Sequence, residues 1–129
     1  MNNEGNGSGT IKTDKGPVQI NLVVIKFEED GSKIIYCPAI DISGYGLTDA
    51  EAEESFKISL REFFRYTINK GTFYQELNRM GWTIPKNKRK PISPPSMTKL
   101  LAENENFSRI FNNHTYLKTD WPIEFPIAV

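Results

Sequence analysis

Hydrophobic and polar residues alternate at the start of the stretch Val18 to Glu28, which reads Val-Gln-Ile-Asn-Leu-Val-Val-Ile-Lys-Phe-Glu and is rich in β-branched residues. A period of two with that composition predicts a strand. Glu29-Asp30-Gly31-Ser32 follows. Asp and Gly tolerate positive φ, so the chain is expected to reverse directly into a second strand, Lys33 to Cys37, as an antiparallel hairpin. Pro38 has no amide to donate and stops that strand's ladder on one edge. After a connector from Ala39 to Ser43, Gly44-Tyr45-Gly46-Leu47 reads as a short third strand. The glycines flanking Tyr45 have two readings: a bulge that relieves backbone strain, or a close approach by another chain.

At Thr48 the period changes from two to 3.6. Thr48-Asp49-Ala50-Glu51 has capping-box spacing, with the threonine oxygen available to a first-turn amide and Glu51 able to reach back to the cap amide. Ala52, Phe56, Leu60, Phe63, Phe64 and Thr67 then recur at spacings of three and four, one apolar stripe suited to lying across a sheet. Acids crowd the first turns and Arg61, Arg65 and Lys70 come later, as the helix dipole favours, and Gly71 offers the C-terminal cap. Thr72-Phe73-Tyr74-Gln75 repeats the cap pattern and predicts a shorter helix through Leu77 and Met80, ended by Gly81. Trp82-Thr83-Ile84 reads as a fourth strand.

Lys86 to Lys90 is basic and Pro91 to Pro95 is proline-rich, the pattern of an exposed linker. Beyond it Leu100, Asn104, Phe107 and Phe111 fall on one helical face, predicting a single amphipathic helix between Met97 and Asn113. Trp121 to Ile127 alternates large apolar residues with others, but Pro122 and Pro126 restrict it to an edge strand. A short strand around Ile11 is a further expectation. The organisation read from this pattern is a flexible start at 1–10, an α/β domain at 11–85, a linker at 86–95 and a C-terminal helix and tail at 96–129.

With 129 residues there is room for one domain with a real core. Sixteen basic and sixteen acidic residues balance, so no global field draws in a polyanion. The first nine residues lack the apolar core of a secretion signal and no segment demands a membrane, which predicts a cytoplasmic protein. The single cysteine, Cys37, lies in a strand and reads as a small buried hydrophobe, since a catalytic thiol needs a nearby base. His114 is the only histidine.

An enzyme needs a clustered constellation, and the familiar ones are missing: no phosphate-cradling Gly-rich loop, no zinc spacing, no nucleophile elbow. No catalytic residue, cofactor or metal is therefore assigned. The one catalytic alternative is metal-dependent nuclease chemistry by Glu28, Asp30, Asp41 and Glu51, all near strand ends or the helix start. Turn and first-turn positions favour acids anyway.

The order strand, strand, short strand, long helix, strand resembles the HicB-like antitoxin domain. The residues that carry the likeness are Phe27 to Gly31, Ile35 to Gly46 with its aromatic, Pro, acid and Gly rhythm, and the Thr-x-x-Glu-Ala run at Thr48 to Ala52. The likeness covers about Gln19 to Ile84. The resemblance implies an α+β fold of reduced ribonuclease H-like type: an antiparallel three-stranded meander, a long helix and a further strand, here with a C-terminal helix and edge-strand extension. It also implies a bacterial, non-enzymatic module of a toxin-antitoxin system that binds and neutralises a HicA-type ribonuclease toxin, as a homo-oligomer. Many members carry a C-terminal DNA-binding segment. Residues Met97 to Asn113 do not read as a two-helix DNA reader, and the run Lys86, Lys88, Arg89 and Lys90 is the sole support for a DNA-binding regulator. For the protein partner, Tyr45 between its glycines is a candidate aromatic contact, and Glu29 and Asp41 are candidate acids facing a basic toxin surface. Tyr36 and Tyr66 read as core tyrosines with satisfied hydroxyls.

Overall fold

The computed structural model describes residues 17–87 and 90–126. Eight elements run in the order β1 Val18–Glu29, β2 Ser32–Cys37, β3 Ile42–Gly46, α1 Asp49–Lys70, α2 Phe73–Arg79, α3 Met97–Glu103, α4 Glu105–Asn113 and β4 Leu117–Phe125. The strands form one open antiparallel sheet in the order β3-β2-β1-β4.

The β1–β2 turn takes positive φ at both central residues, 53° at Asp30 and 81° at Gly31. That twist matches the flanking strands, which is why an Asp-Gly pair suffices to close the hairpin. β1 is long because it serves two neighbours: its C-terminal part, Ile25 to Glu29, pairs with β2, while Val18 to Lys26 pairs with β4. Its burial follows. Gln19 and Asn21 are exposed on one face, whereas Leu22, Val24, Ile25 and Phe27 are buried on both faces. Helices cover both sides of the sheet only over that second stretch, so the alternation gives way to a continuous apolar run.

On one face α1 and α2 pack with Leu22, Val24, Ile35, Cys37, Ile42 and Phe125. The α1 stripe behaves as its periodicity predicts: Ala52, Phe56, Phe64 and Thr67 are buried, and Leu60 and Phe63 are half-buried against them. Thr48 Oγ accepts the Glu51 amide at 3.1 Å, but Glu51 reaches one residue further back than a standard box and accepts the Leu47 amide at 2.9 Å. At the other end Gly71 sits at φ 71° and its amide donates to Ile68 O, while the Thr72 amide donates to Thr67 O. These bonds satisfy the last carbonyls of the helix.

On the opposite face α3 and α4 bury Leu100, Phe107 and Ile110 against Ile25, Phe27, Ile34 and Tyr36. The single C-terminal helix expected from the stripe is in fact two. Asn104, assigned to the apolar face, lies between them at φ −102°, ψ 102° and caps α4 by accepting the Phe107 amide at 3.0 Å. An amide side chain competing with the backbone breaks the helix there.

Further expectations are corrected. Trp82 to Ile84 is not a sheet strand; only Thr83 bridges, to Ser93, through two backbone bonds of 2.9 and 3.1 Å. The tryptophan is instead a core residue whose Nε1 donates to Ala39 O at 2.8 Å. The fourth strand of the sheet is the tail, which begins at Leu117, earlier than Trp121. Thr72 starts α2 with no side-chain cap bond. Within the segment 86–95, read as a linker, Ser93 makes that bridge to Thr83 and Ile92 is buried in the same core as Trp82. The expected strand near Ile11, the start at 1–10, Lys88 and Arg89, and Ile127 lie outside the described residues.

Proline in the tail is accommodated as edge-strand physics requires. Pro122 stands opposite Asn21 on the outer strand, and its missing amide is tolerated where the amide would face away from β1. Exposed Lys118, Asp120 and Glu124 accompany it. Charge and proline together discourage another strand from adding there.

Candidate functional site

At the other edge of the sheet, register sets the arrangement. Ser43 faces Tyr36 and Tyr45 faces Ile34 across β2 and β3, and Tyr36 and Ile34 in turn face Ile25 and Phe27 of β1. All these side chains therefore share the α3–α4 face of the sheet. The helices cover β1 and β2 but leave β3 as a shelf: Tyr36 is 2% exposed and Tyr45 is 58% exposed.

Close approach on the opposite side fixes that shelf. A Cβ on Gly44 would lie 2.2 Å from Phe56 N, and one on Gly46 would lie 2.5 Å from Ala52 N. The glycines mark neither a bulge nor a second chain; they admit the backbone of α1. In the same contact Ser55 Oγ accepts the Tyr45 amide at 3.1 Å. The outward amide of Tyr45 is thus satisfied internally, and what the residue offers a neighbour is its ring. Ser43 Oγ donates to the Tyr45 hydroxyl at 3.3 Å, steadying it.

Between this shelf and α4 lies a cleft of about 110 Å³ whose lining includes Ile34, Ser43, Tyr45, Arg109, Ile110 and Glu29. The structure therefore brings together two of the three candidate contact residues, Glu29 and Tyr45. Glu29 is half-buried, with Arg109 Nη1 3.5 Å from one oxygen and His114 Nε2 3.8 Å from the other. His114 also packs edge-on against Phe27, and its Nδ1 is buried without a partner among the described residues.

Asp41, the third candidate, is exposed and stands in an adjoining cleft of about 460 Å³ with Pro38, Lys99 and Asn104. It is joined to the first cleft through Tyr36, whose hydroxyl donates to Asp41 Oδ1 at 2.5 Å and accepts from Asn104 Nδ2 at 3.0 Å. Burial, and after it the bond to Asp41, pushes the Tyr36 phenol well above its ordinary range. Asp41 holds φ 53°, a left-handed conformation that an Asp side chain tolerates better than most. Tyr36 is thus the satisfied core tyrosine its setting suggested; Tyr66, read the same way, is 61% exposed.

The other acids do not gather. Glu28 pairs with Lys33 Nζ at 2.9 Å and Glu51 caps α1. Among the described residues no group of three or more His, Cys, Asp or Glu is placed to hold a metal ion. Cys37 is buried, and desolvation pushes its thiol up to about 12, which holds it in the unreactive protonated form.

Sequence reading missed Ser43, Ser55, Asn104 and Arg109. A signal for Asn104 was present: Asn-Glu-Asn-Phe has an N-cap residue three positions before an apolar one. Arg109 carried none, because its meeting with Glu29 joins residues 80 positions apart.

Compared with protein-family models, curated proteins and solved structures, the chain finds no match. The fold itself defines an α+β protein with an open four-stranded antiparallel sheet and, among the described residues, four helices. None of these helices is long and apolar enough to cross a membrane.

Proposed function

We propose that this chain is a non-enzymatic protein-binding module of HicB-like antitoxin type, which neutralises a HicA-type ribonuclease toxin by covering its basic, RNA-gripping face. The observation that carries the reading is Tyr45: a ring 58% exposed on an edge strand whose backbone amide is already bonded to Ser55, beside Glu29 and near Asp41. An aromatic anchor flanked by acids suits a basic protein surface. The buried thiol at Cys37 speaks against the chain's one soft nucleophile as a catalyst.

Two contributions give two signatures. Charge reversal at Glu29 or Asp41 slows association and lessens its salt dependence. Tyr45→Ala speeds dissociation, with a loss on the order of 2 kcal/mol for one hot-spot side chain. Co-expression with a small basic toxin encoded beside this chain is the deciding experiment. Rescue of growth and a complex on size exclusion support the reading, and undiminished toxicity with no complex overturns it.

A second reading, a DNA-binding regulator of its own operon, is favoured by Lys86 and Lys90, both exposed and both lying in sequence between the bridged residues Thr83 and Ser93. A gel shift on the promoter fragment distinguishes it. Binding that vanishes in Lys86→Gln/Lys90→Gln would support the regulator, and no shift would end it.

A further inference from the structure

We infer that the cleft between β3 and α4 is a socket for one arginine side chain of a protein partner, an inference that rests on the protein-binding reading of this face and specifies what it recognises. Size decides first. Pockets for small molecules enclose roughly 300–1,000 Å³. At about 110 Å³ this cleft has room for a side chain and little more.

Surface chemistry decides next. Ile34 and Ile110 give an apolar wall, Glu29 a carboxylate, and Tyr45 an exposed ring at the rim. A long-stemmed cation fits that set, because its methylenes lie along apolar surface while its head stays polar. Among such cations a guanidinium is the better match: it forks onto a carboxylate and stacks on an aromatic face, which an ammonium does less well.

Independently, the chain already sets a guanidinium against this acid. Arg109 Nη1 stands 3.5 Å from Glu29 Oε2, and its Nη2 donates to Asn106 Oδ1 at 3.2 Å. With the arginine side chain 46% exposed and the distance long, the Arg109–Glu29 pair contributes little stability. An incoming arginine can displace Arg109 from Glu29 while Arg109 keeps Asn106. His114, 3.8 Å from the other oxygen of Glu29, is the second local group that competes for the acid. The free protein fills its socket's acid with its own side chain, and the partner's arginine takes that place.

The test uses the full chain and two probes, a hexa-arginine peptide and its hexa-citrulline counterpart, which keeps the size and loses the charge. Titration followed by amide resonances should show the arginine peptide perturbing Tyr45 and Ile110, with the citrulline peptide at least about tenfold weaker, a difference worth about 1.4 kcal/mol. Glu29→Gln and Tyr45→Ala should each weaken binding by about tenfold. Arg109→Ala should tighten it, an outcome that a purely structural role for Arg109 would not produce. Glu54→Gln, which removes an exposed acid on α1, should leave it unchanged. Thermal melting of each variant separates lost binding from lost folding. Equal binding of both peptides, no binding of either, indifference to Glu29→Gln in a folded variant, or weaker binding by Arg109→Ala would overturn the socket. No toxin enters this experiment, so its failure and a failure of neutralisation in co-expression are read separately.

Discussion

The two faces of the sheet are built by different means. The α1–α2 face is a broad aromatic core in which Phe64, Phe73 and Trp82 all lie with ring centroids within 6.1 Å of Phe125. It is fixed by one 22-residue helix capped at both ends. The α3–α4 face is served by helices of 7 and 9 residues, too short to be stable alone. Three buried apolar side chains hold them, along with polar ties at two ends: Asn104 to Tyr36 at one, Arg109 and His114 to Glu29 at the other. One face is set by periodicity and volume; the other depends on a few long-range contacts. The candidate site lies on the second, where contacts are fewer and side chains remain exposed.

That contrast can be broken most sharply with paired ring deletions. Phe56 and Phe107 are 1% and 0% exposed. Each Phe→Ala change should cost about 3 to 5 kcal/mol by loss of transfer energy and creation of a cavity. Hydrogen exchange should tell them apart. Phe56→Ala lowers protection throughout the sheet, whereas Phe107→Ala lowers it chiefly over 97–113. Equal loss everywhere in both variants would mean that the two faces form a single cooperative unit.

A smaller effect tests the close contact of α1 with β3. In Gly44→Ala the new methyl meets backbone atoms of Phe56 and Ala52, which cannot rotate away, so a cost near the top of about 1 to 3 kcal/mol is expected. Gly31→Ala meets nothing within 4 Å and pays only for its φ of 81°, about 1 to 2 kcal/mol. Urea unfolding of the two variants orders them. Gly31→Ala costing clearly more would contradict the packing of the helix on the strand.

Tyr36→Phe removes the tie between β2, Asp41 and the α3–α4 junction. Asp41 is exposed and can turn to water, so about 1 kcal/mol is expected. A loss above about 3 kcal/mol would show that the tie carries the second face.

The least perturbing test concerns Cys37 and pH. Burial pushes its folded thiol up to about 12 from an ordinary value of 9.0, so the folded chain holds the proton more tightly than the unfolded chain. Stability from this group is complete below about pH 9 and falls as pH rises toward 12. Native protein at pH 8 should react with a thiol reagent only as fast as it opens, and Cys37→Ala should flatten the alkaline decline in melting temperature. Rapid labelling of folded protein would place the thiol at the surface.

Local chemistry alone determined much of this molecule. The Asp30-Gly31 reversal, the α1 stripe with its Thr48 and Gly71 ends, the burial of Cys37 and the edge position of a proline-bearing tail all follow from φ preferences, periods and missing donors within a few residues. Tertiary structure decided the rest. Gly44 and Gly46 admit the backbone of α1, a contact no local pattern specifies. Trp82 left the strand its composition suggested because burying the ring, with Nε1 bonded to Ala39, outweighs its β propensity. Asn104 breaks the helix by a local cap, but its tie to Tyr36, 68 positions away, is tertiary. Of the three residues read as candidate contacts, Tyr45 and Asp41 are exposed and Glu29 is half-buried. Only folding could bring Arg109 to Glu29, since the pairing depends on α4 docking over β1 and β2, and helices this short take their place from the surface they cover.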